Sequence, residues 1–170
     1  MGRLNVLVIG VMMASLLVSG CKKAAEKAAE KAIESGMAKD GNKAKVDISG
    51  GKVSIETKDG TAVYSGGKDA KLPDNFPKDV YVYDGGNVVA SISVPDGFNL
   101  SIETKDGADK VFTTVKEKMT GSGWKQEMEM KQDKNAMVTY KKGERTVSFN
   151  IASQPNATQI SIFVSAEKGK

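Results

Sequence analysis

The sequence predicts an α+β fold: one amphipathic helix packed on a single antiparallel sheet of about six strands, preceded by a helical spacer and a small three-stranded β-meander. Three observations carry this expectation. Runs with an apolar residue at every second position recur between short turns rich in Gly, Pro and Asn, which is the period of strands with one buried face. One stretch, 108–119, changes to the period of an amphipathic helix. Nine of the ten aromatic residues follow position 70, which places the core in 71–170. One helix covering one face of an antiparallel sheet is a two-layer arrangement.

Residues 1–20 carry Arg3, an apolar run from Val6 to Val18, and then the small residues Ser19 and Gly20, the layout of an export signal. The run is too short for a bilayer span, which takes about 20 apolar residues. Residues 21–43 form the spacer. Ala24-Ala25-Glu26-Lys27 repeats as Ala28-Ala29-Glu30-Lys31, all strong helix formers, and Lys and Glu stripes three residues apart offset the repulsion along each stripe. The apolar face is mostly alanine, so a semi-rigid rod is expected in preference to a coiled coil. Residues 44–70 alternate through Val46 and Ile48, Val53 and Ile55, then Val63, with Gly50-Gly51 and Asp59-Gly60 between them. This apolar set is too thin for an independent core, so the meander should pack on the Ala-rich helix or extend the next sheet.

Residues 71–170 form the compact domain. Leu72, Phe76 and Val80 should turn inward from an extended segment whose Pro73 and Pro77 exclude helix and central strand. Val88, Ala90, Ile92 and Val94 share one strand face, and Phe98, Leu100 and Ile102 the facing one, across a Pro95-Asp96-Gly97 turn. Asp106 is the expected N-cap of a helix whose buried face holds Ala108, Val111, Phe112, Val115 and Met119 and which stops at Gly121. Four further strands follow: Trp124, Met128 and Met130; Ala136, Val138 and Tyr140; Val147, Phe149 and Ile151; Ile160, Ile162 and Val164. Lys125, Glu127, Glu129, Thr139, Ser148, Asn150 and Ser161 fall on the wet face.

The composition excludes much chemistry. Histidine is absent and Cys21 is the single cysteine, which removes disulfide frameworks, His/Cys zinc sites and nucleophiles that need an imidazole base. Beyond Cys21, Ser-x-x-Lys occurs four times, at Ser49, Ser65, Ser122 and Ser165, without the companion motifs of penicillin-binding enzymes. No catalytic residue is assigned, no enzyme activity is expected, and no cofactor is implied. The net charge of +4 is interspersed along the chain, so no nucleic-acid surface is expected. Soft thioethers suit Cu(I), which makes Met128 and Met130 beside Trp124 candidate copper residues, with Met137 nearby in the sequence but of opposite strand parity to Val138 and Tyr140, core packing being the alternative.

Leu17-Val18-Ser19-Gly20-Cys21 resembles the lipobox of bacterial lipoproteins. The resemblance implies cleavage between Gly20 and Cys21, a diacylglyceryl thioether and N-acylation at Cys21, and attachment to a membrane. Lys22, where inner-membrane retention uses Asp, points to the outer membrane of a diderm host, facing the periplasm. The order Leu72-Pro73…Phe76-Pro77, two strands, a helix, Gly123-Trp124 and Lys142-Gly143-Glu144-Arg145 is similar to a module of small uncharacterised bacterial envelope lipoproteins. Its layout also resembles the helix-grip domains of the outer-membrane assembly lipoprotein BamC. Together these imply a non-enzymatic accessory or interaction module whose partner is another envelope protein. The alternative is a periplasmic binding protein for copper or for a small apolar ligand held between helix and sheet.

Overall fold

In the computed structural model, residues 22–39, 44–49, 51–58, 60–67 and 70–165 are described. The export signal and Cys21 lie outside them. The elements in chain order are α1 (Lys22–Lys39), β1 (Ala44–Ser49), β2 (Lys52–Thr57), β3 (Gly60–Gly66), β4 (Gly86–Val94), β5 (Gly97–Thr104), α2 (Ala108–Gly121), β6 (Lys125–Gln132), β7 (Asn135–Lys142), β8 (Arg145–Ser153) and β9 (Thr158–Ser165). All nine strands join one antiparallel sheet in the order β1-β2-β3-β4-β5-β9-β8-β7-β6.

This overturns the predicted fold of a six-stranded sheet with one packed helix preceded by a three-stranded meander; the meander extends the sheet, one of the two dockings its thin apolar set implied. The fold is mainly β, with nine strands and two helices among the described residues. β3 pairs with β4 from Val63 opposite Ser93 to Gly66 opposite Ala90, so the meander continues the sheet. The physical reason is the thin apolar set: three short strands cannot close a core alone, and β4 offers a free edge.

Helix α1 is likewise no free spacer. It lies along β1, the first edge strand. The Glu34 carboxylate accepts the Val46 N–H at 2.9 Å and the Glu30 carboxylate accepts the Ile48 N–H at 2.8 Å. One helical step of four residues rises about 6 Å and two strand residues about 6.8 Å, so a Glu every fourth position meets an outward amide every second position. An edge strand is a template for unwanted pairing, and here carboxylates occupy its donors. Replacing Glu30 and Glu34 together by Ala should cost about 2 kcal/mol, a hydrogen bond to a charged group contributing a net of about 1.5–3 kcal/mol and less at part-exposed sites such as these. Hydrogen exchange should show Val46 and Ile48 losing protection while β7–β9 keep theirs.

The core lies between α2 and the face of the sheet formed by β5, β9, β8 and β7. Leu100 and Ile102, Ile160 and Ile162, Phe149 and Ile151, and Val138 and Tyr140 meet there in register. Val111, Phe112, Val115 and Met119 of α2 cover them, as the helical period requires. Asp106 is not the N-cap: Gly107 holds that position without a side-chain cap, and Asp106 instead accepts the Tyr83 hydroxyl at 2.6 Å. The helix ends at Gly121, and Gly123 at φ +77° turns the chain so that the Trp124 N–H reaches the Met119 carbonyl.

Two β-bulges shift faces that strict alternation assigned wrongly. One lies between Val88 and Ala90, so Val88 packs toward the core while Ala90, Ile92 and Val94 face the other side. The second lies between Gln126 and Met128. After it, Glu129 and Lys131 stand opposite Val138 and Ala136 on the α2 side, and Met128 and Met130 stand opposite Thr139 and Met137 on the open side. On that side Glu129 accepts from Lys116 and Lys131 reaches Asp109, each at 2.6 Å, as exposed ion pairs between β6 and α2.

Candidate ligand cleft and the strap that roofs it

Residues 70–85 form a strap between β3 and β4. Pro73 and Pro77 each start a tight turn, closed by Phe76 N–H to the Pro73 carbonyl and Val80 N–H to the Pro77 carbonyl. Phe76 and Val80 are buried as expected, Phe76 meeting the Phe98 ring edge-on. Leu72, predicted to turn inward, is instead 40% exposed.

The strap is fastened along its length, the Tyr83 hydroxyl on Asp106 and the Tyr81 N–H on Met119 Sδ at 3.4 Å being two of its contacts. Near its start, Ser91 Oγ on β4 donates to the Lys71 carbonyl at 2.8 Å. At its end, Thr104 Oγ1 donates to the Gly85 carbonyl at 2.7 Å. Between them stands Asp79, whose carbonyl accepts Trp124 Nε1–H at 2.8 Å. Its carboxylate takes two bonds from the Arg145 guanidinium, at 2.9 and 2.6 Å, and a third from Lys142 at 3.0 Å. Both cations also lie over the Trp124 ring, Arg145 at 5.1 Å and Lys142 at 5.9 Å. The Lys142-Gly143 turn noted in the sequence thus meets Trp124 through a residue more than sixty positions earlier.

Arg145, aided by Lys142 and opposed by partial burial, lowers the Asp79 carboxyl from 3.8 to about 2. A depressed folded-state pKa gives stability that is present above the unfolded value and disappears as pH falls through the folded one. Asp79 should therefore stabilise the fold fully above about pH 5 and lose that contribution between about pH 4 and 2. With about 1.4 kcal/mol per pKa unit and discounting for solvent at a one-third exposed carboxylate, the effect is about 1–2 kcal/mol. In urea titrations Asp79→Asn should be less stable than wild type by that amount at pH 6, with the two curves converging toward pH 2.

Beneath the strap, on the α2 side of β2–β4, a cleft of about 450 Å³ opens. Val63, Leu72 and Pro73 supply its apolar lining, and hydroxyls at Thr61, Ser65, Ser91 and Ser93 line the strands. Lys52, Lys71, Asp74 and Asn75 also line it. Ser65 is only 3% exposed, and its Oγ has no hydrogen-bond partner among the described residues. An unpaired buried hydroxyl costs about 1–3 kcal/mol, so its persistence on the cleft wall is a feature to be explained. A second opening of about 200 Å³ lies between the start of α2 and the β6–β7 turn, against Phe112 and Ala136. Small-molecule sites usually enclose about 300–1,000 Å³, which favours the strap cleft.

The space where an apolar ligand was expected, between the middle of α2 and the sheet, is filled. Val111, Val115, Met119, Tyr140 and Phe149 are fully buried and in one cluster. The copper candidates are also separated: Trp124 is buried under α2 and the strap, whereas Met128 and Met130 are exposed on the opposite face. No group of three or more His, Cys, Asp or Glu that could hold a metal occurs among the described residues. Neither Ser65 nor Asp79 was singled out for function from the sequence. Ser65 falls within a Ser-x-x-Lys match with no further signal, and nothing local marks the pairing of Asp79 with Arg145.

A family model described as START domain-like matches residues 87–169. The match begins in β4 and takes in β5, α2 and β6–β9, leaving out α1, β1–β3 and the strap. No curated protein and no solved structure matches the chain.

Proposed function

We propose that the protein is a non-enzymatic, membrane-tethered lipoprotein of the bacterial envelope whose folded body binds a small ligand in the strap cleft. The observation that carries the reading is the buried Ser65 hydroxyl, without a partner among the described residues, in a cleft of about 450 Å³. The START domain-like similarity supports a ligand-binding body, and the lipobox resemblance around Cys21 supports the tether. The cleft favours a small amphipathic molecule: its apolar part lies against Val63, Leu72 and Pro73, and an acceptor group meets Ser65 with Lys52 and Lys71 at the rim. This replaces the apolar-ligand site between helix and sheet expected from the sequence.

The docking of α1 changes the geometry of the tether. Because α1 is bonded to β1 through Glu30 and Glu34, an anchor at Cys21 would be joined to the body by the first turns of the helix and not by a free rod of its full length. Other envelope proteins remain the partner class for an accessory role.

Native mass spectrometry of chain extracted gently from its own membrane tests the ligand. A non-covalent small-molecule mass on wild type, lost from Thr61→Trp, which puts an indole into the cleft, is the expected result. Retention of the mass by the variant, or wild type with none, counts against the cleft.

A further inference from the structure

We propose that Met128, Met130 and Met137 form a surface site for a soft monovalent cation, Cu(I) or Ag(I), on the open face of the β6–β7 hairpin. The site is independent of the strap cleft, which lies at the other half of the sheet and on the opposite face.

The bulge between Gln126 and Met128 creates this grouping. Without the extra residue, Met128 and Met130 would follow Gln126 onto the face covered by α2. With it, both turn outward, and Met130 stands directly opposite Met137 while Met128 stands opposite Thr139. Directly paired residues have Cβ atoms about 5 Å apart, diagonal neighbours about 7–8 Å apart, and successive residues on one face about 7 Å apart. Three flexible thioether side chains rooted on such a triangle can bring their sulfurs to one ion. Bulges commonly re-aim side chains in this way beside functional sites.

Packing does not account for the grouping. Met128 is 45% and Met130 53% exposed, although methionine ordinarily fills core gaps. Polar residues bound the patch along the sheet: Thr139 and Ser148 share a hydrogen bond at 3.0 Å, and Asn150 stands opposite Met137. They separate the methionines from exposed Phe163, which pairs with Ser148 on the far side. The thioethers therefore form an island and are not the margin of a continuous apolar surface. Donor chemistry sets the ion. The chain has no histidine, and thioether sulfur without imidazole or thiolate favours Cu(I) over divalent zinc or Cu(II).

The test is titration of the full-length chain with Ag(I), the redox-stable analogue of Cu(I), in chloride-free buffer with detergent. It is read by calorimetry and native mass spectrometry on both wild type and Cys21→Ser, so that binding by a bare thiol is recognised. One Ag(I) per chain is expected in both, with at least tenfold weaker binding in Met130→Leu and no measurable binding at that site in the Met128→Leu/Met130→Leu/Met137→Leu triple variant. These surface replacements should leave the thermal midpoint within a few degrees of wild type. Met37→Leu should bind as wild type does. Absence of Ag(I) binding in Cys21→Ser, or binding that the triple variant retains, would overturn the site.

Discussion

Trp124→Ala should destabilise the protein by about 4 kcal/mol, within the range of about 3–5 kcal/mol for deleting a large buried aromatic side chain. Trp124 is 2% exposed, and three parts of the fold meet on it. Its backbone N–H closes the end of α2 on the Met119 carbonyl, its indole N–H holds the Asp79 carbonyl, and its ring lies under Lys142 and Arg145. Truncation therefore opens a cavity and also releases the strap. Against a typical total stability of about 5–15 kcal/mol, this is a large fraction, and urea unfolding should show a much lower midpoint. Trp124→Phe separates the effects: it keeps most of the volume but loses the Asp79 bond, so a cost of about 1–2 kcal/mol is expected. An alanine variant as stable as wild type would show that the strap is held by something other than this residue.

Cys21→Ser should abolish membrane anchoring through acyl chains. One acyl chain holds a protein only reversibly and two give stable attachment, each buried methylene contributing about 0.8 kcal/mol. Serine has no thiol to form the diacylglyceryl thioether, so the variant should incorporate no labelled fatty acid and should retain residues 1–20. Wild type should be labelled and begin at Cys21. The uncleaved apolar run from Val6 to Val18 can itself hold a chain at a membrane, so fatty-acid label and amino-terminal residue are the informative readouts, not sedimentation. Wild-type protein without label would remove the tether from the proposed function while leaving the cleft and the methionine site standing.

What could be read in advance follows the range over which each interaction acts. Local period was sufficient for α2, whose Val111, Phe112, Val115 and Met119 are all buried, and for β7, β8 and β9, whose alternation runs without interruption. It failed wherever one added residue reversed parity, at Val88/Ala90 and Gln126/Met128, because a bulge leaves composition unchanged and inverts every face beyond it. The role of Glu30 and Glu34 was hidden because their partners are amides of another strand. A four-residue charge stripe looks the same in a solvated rod and in an edge cover. The cleft was not legible either: Ser65, Lys71 and Ser91 become neighbours only when β3 joins β4 and the strap crosses above them.

The location of the ligand can be tested by amide NMR on isotope-labelled chain extracted from its membrane, compared before and after bound small molecules are stripped. Shift changes clustered at Val63, Ser65, Lys71, Ser91 and Ser93, with the Asp79–Trp124 contact preserved, are expected. Changes confined to Val111–Met119 and the strand residues beneath them, or superimposable spectra from a sample shown to carry ligand, would contradict a binding site under the strap.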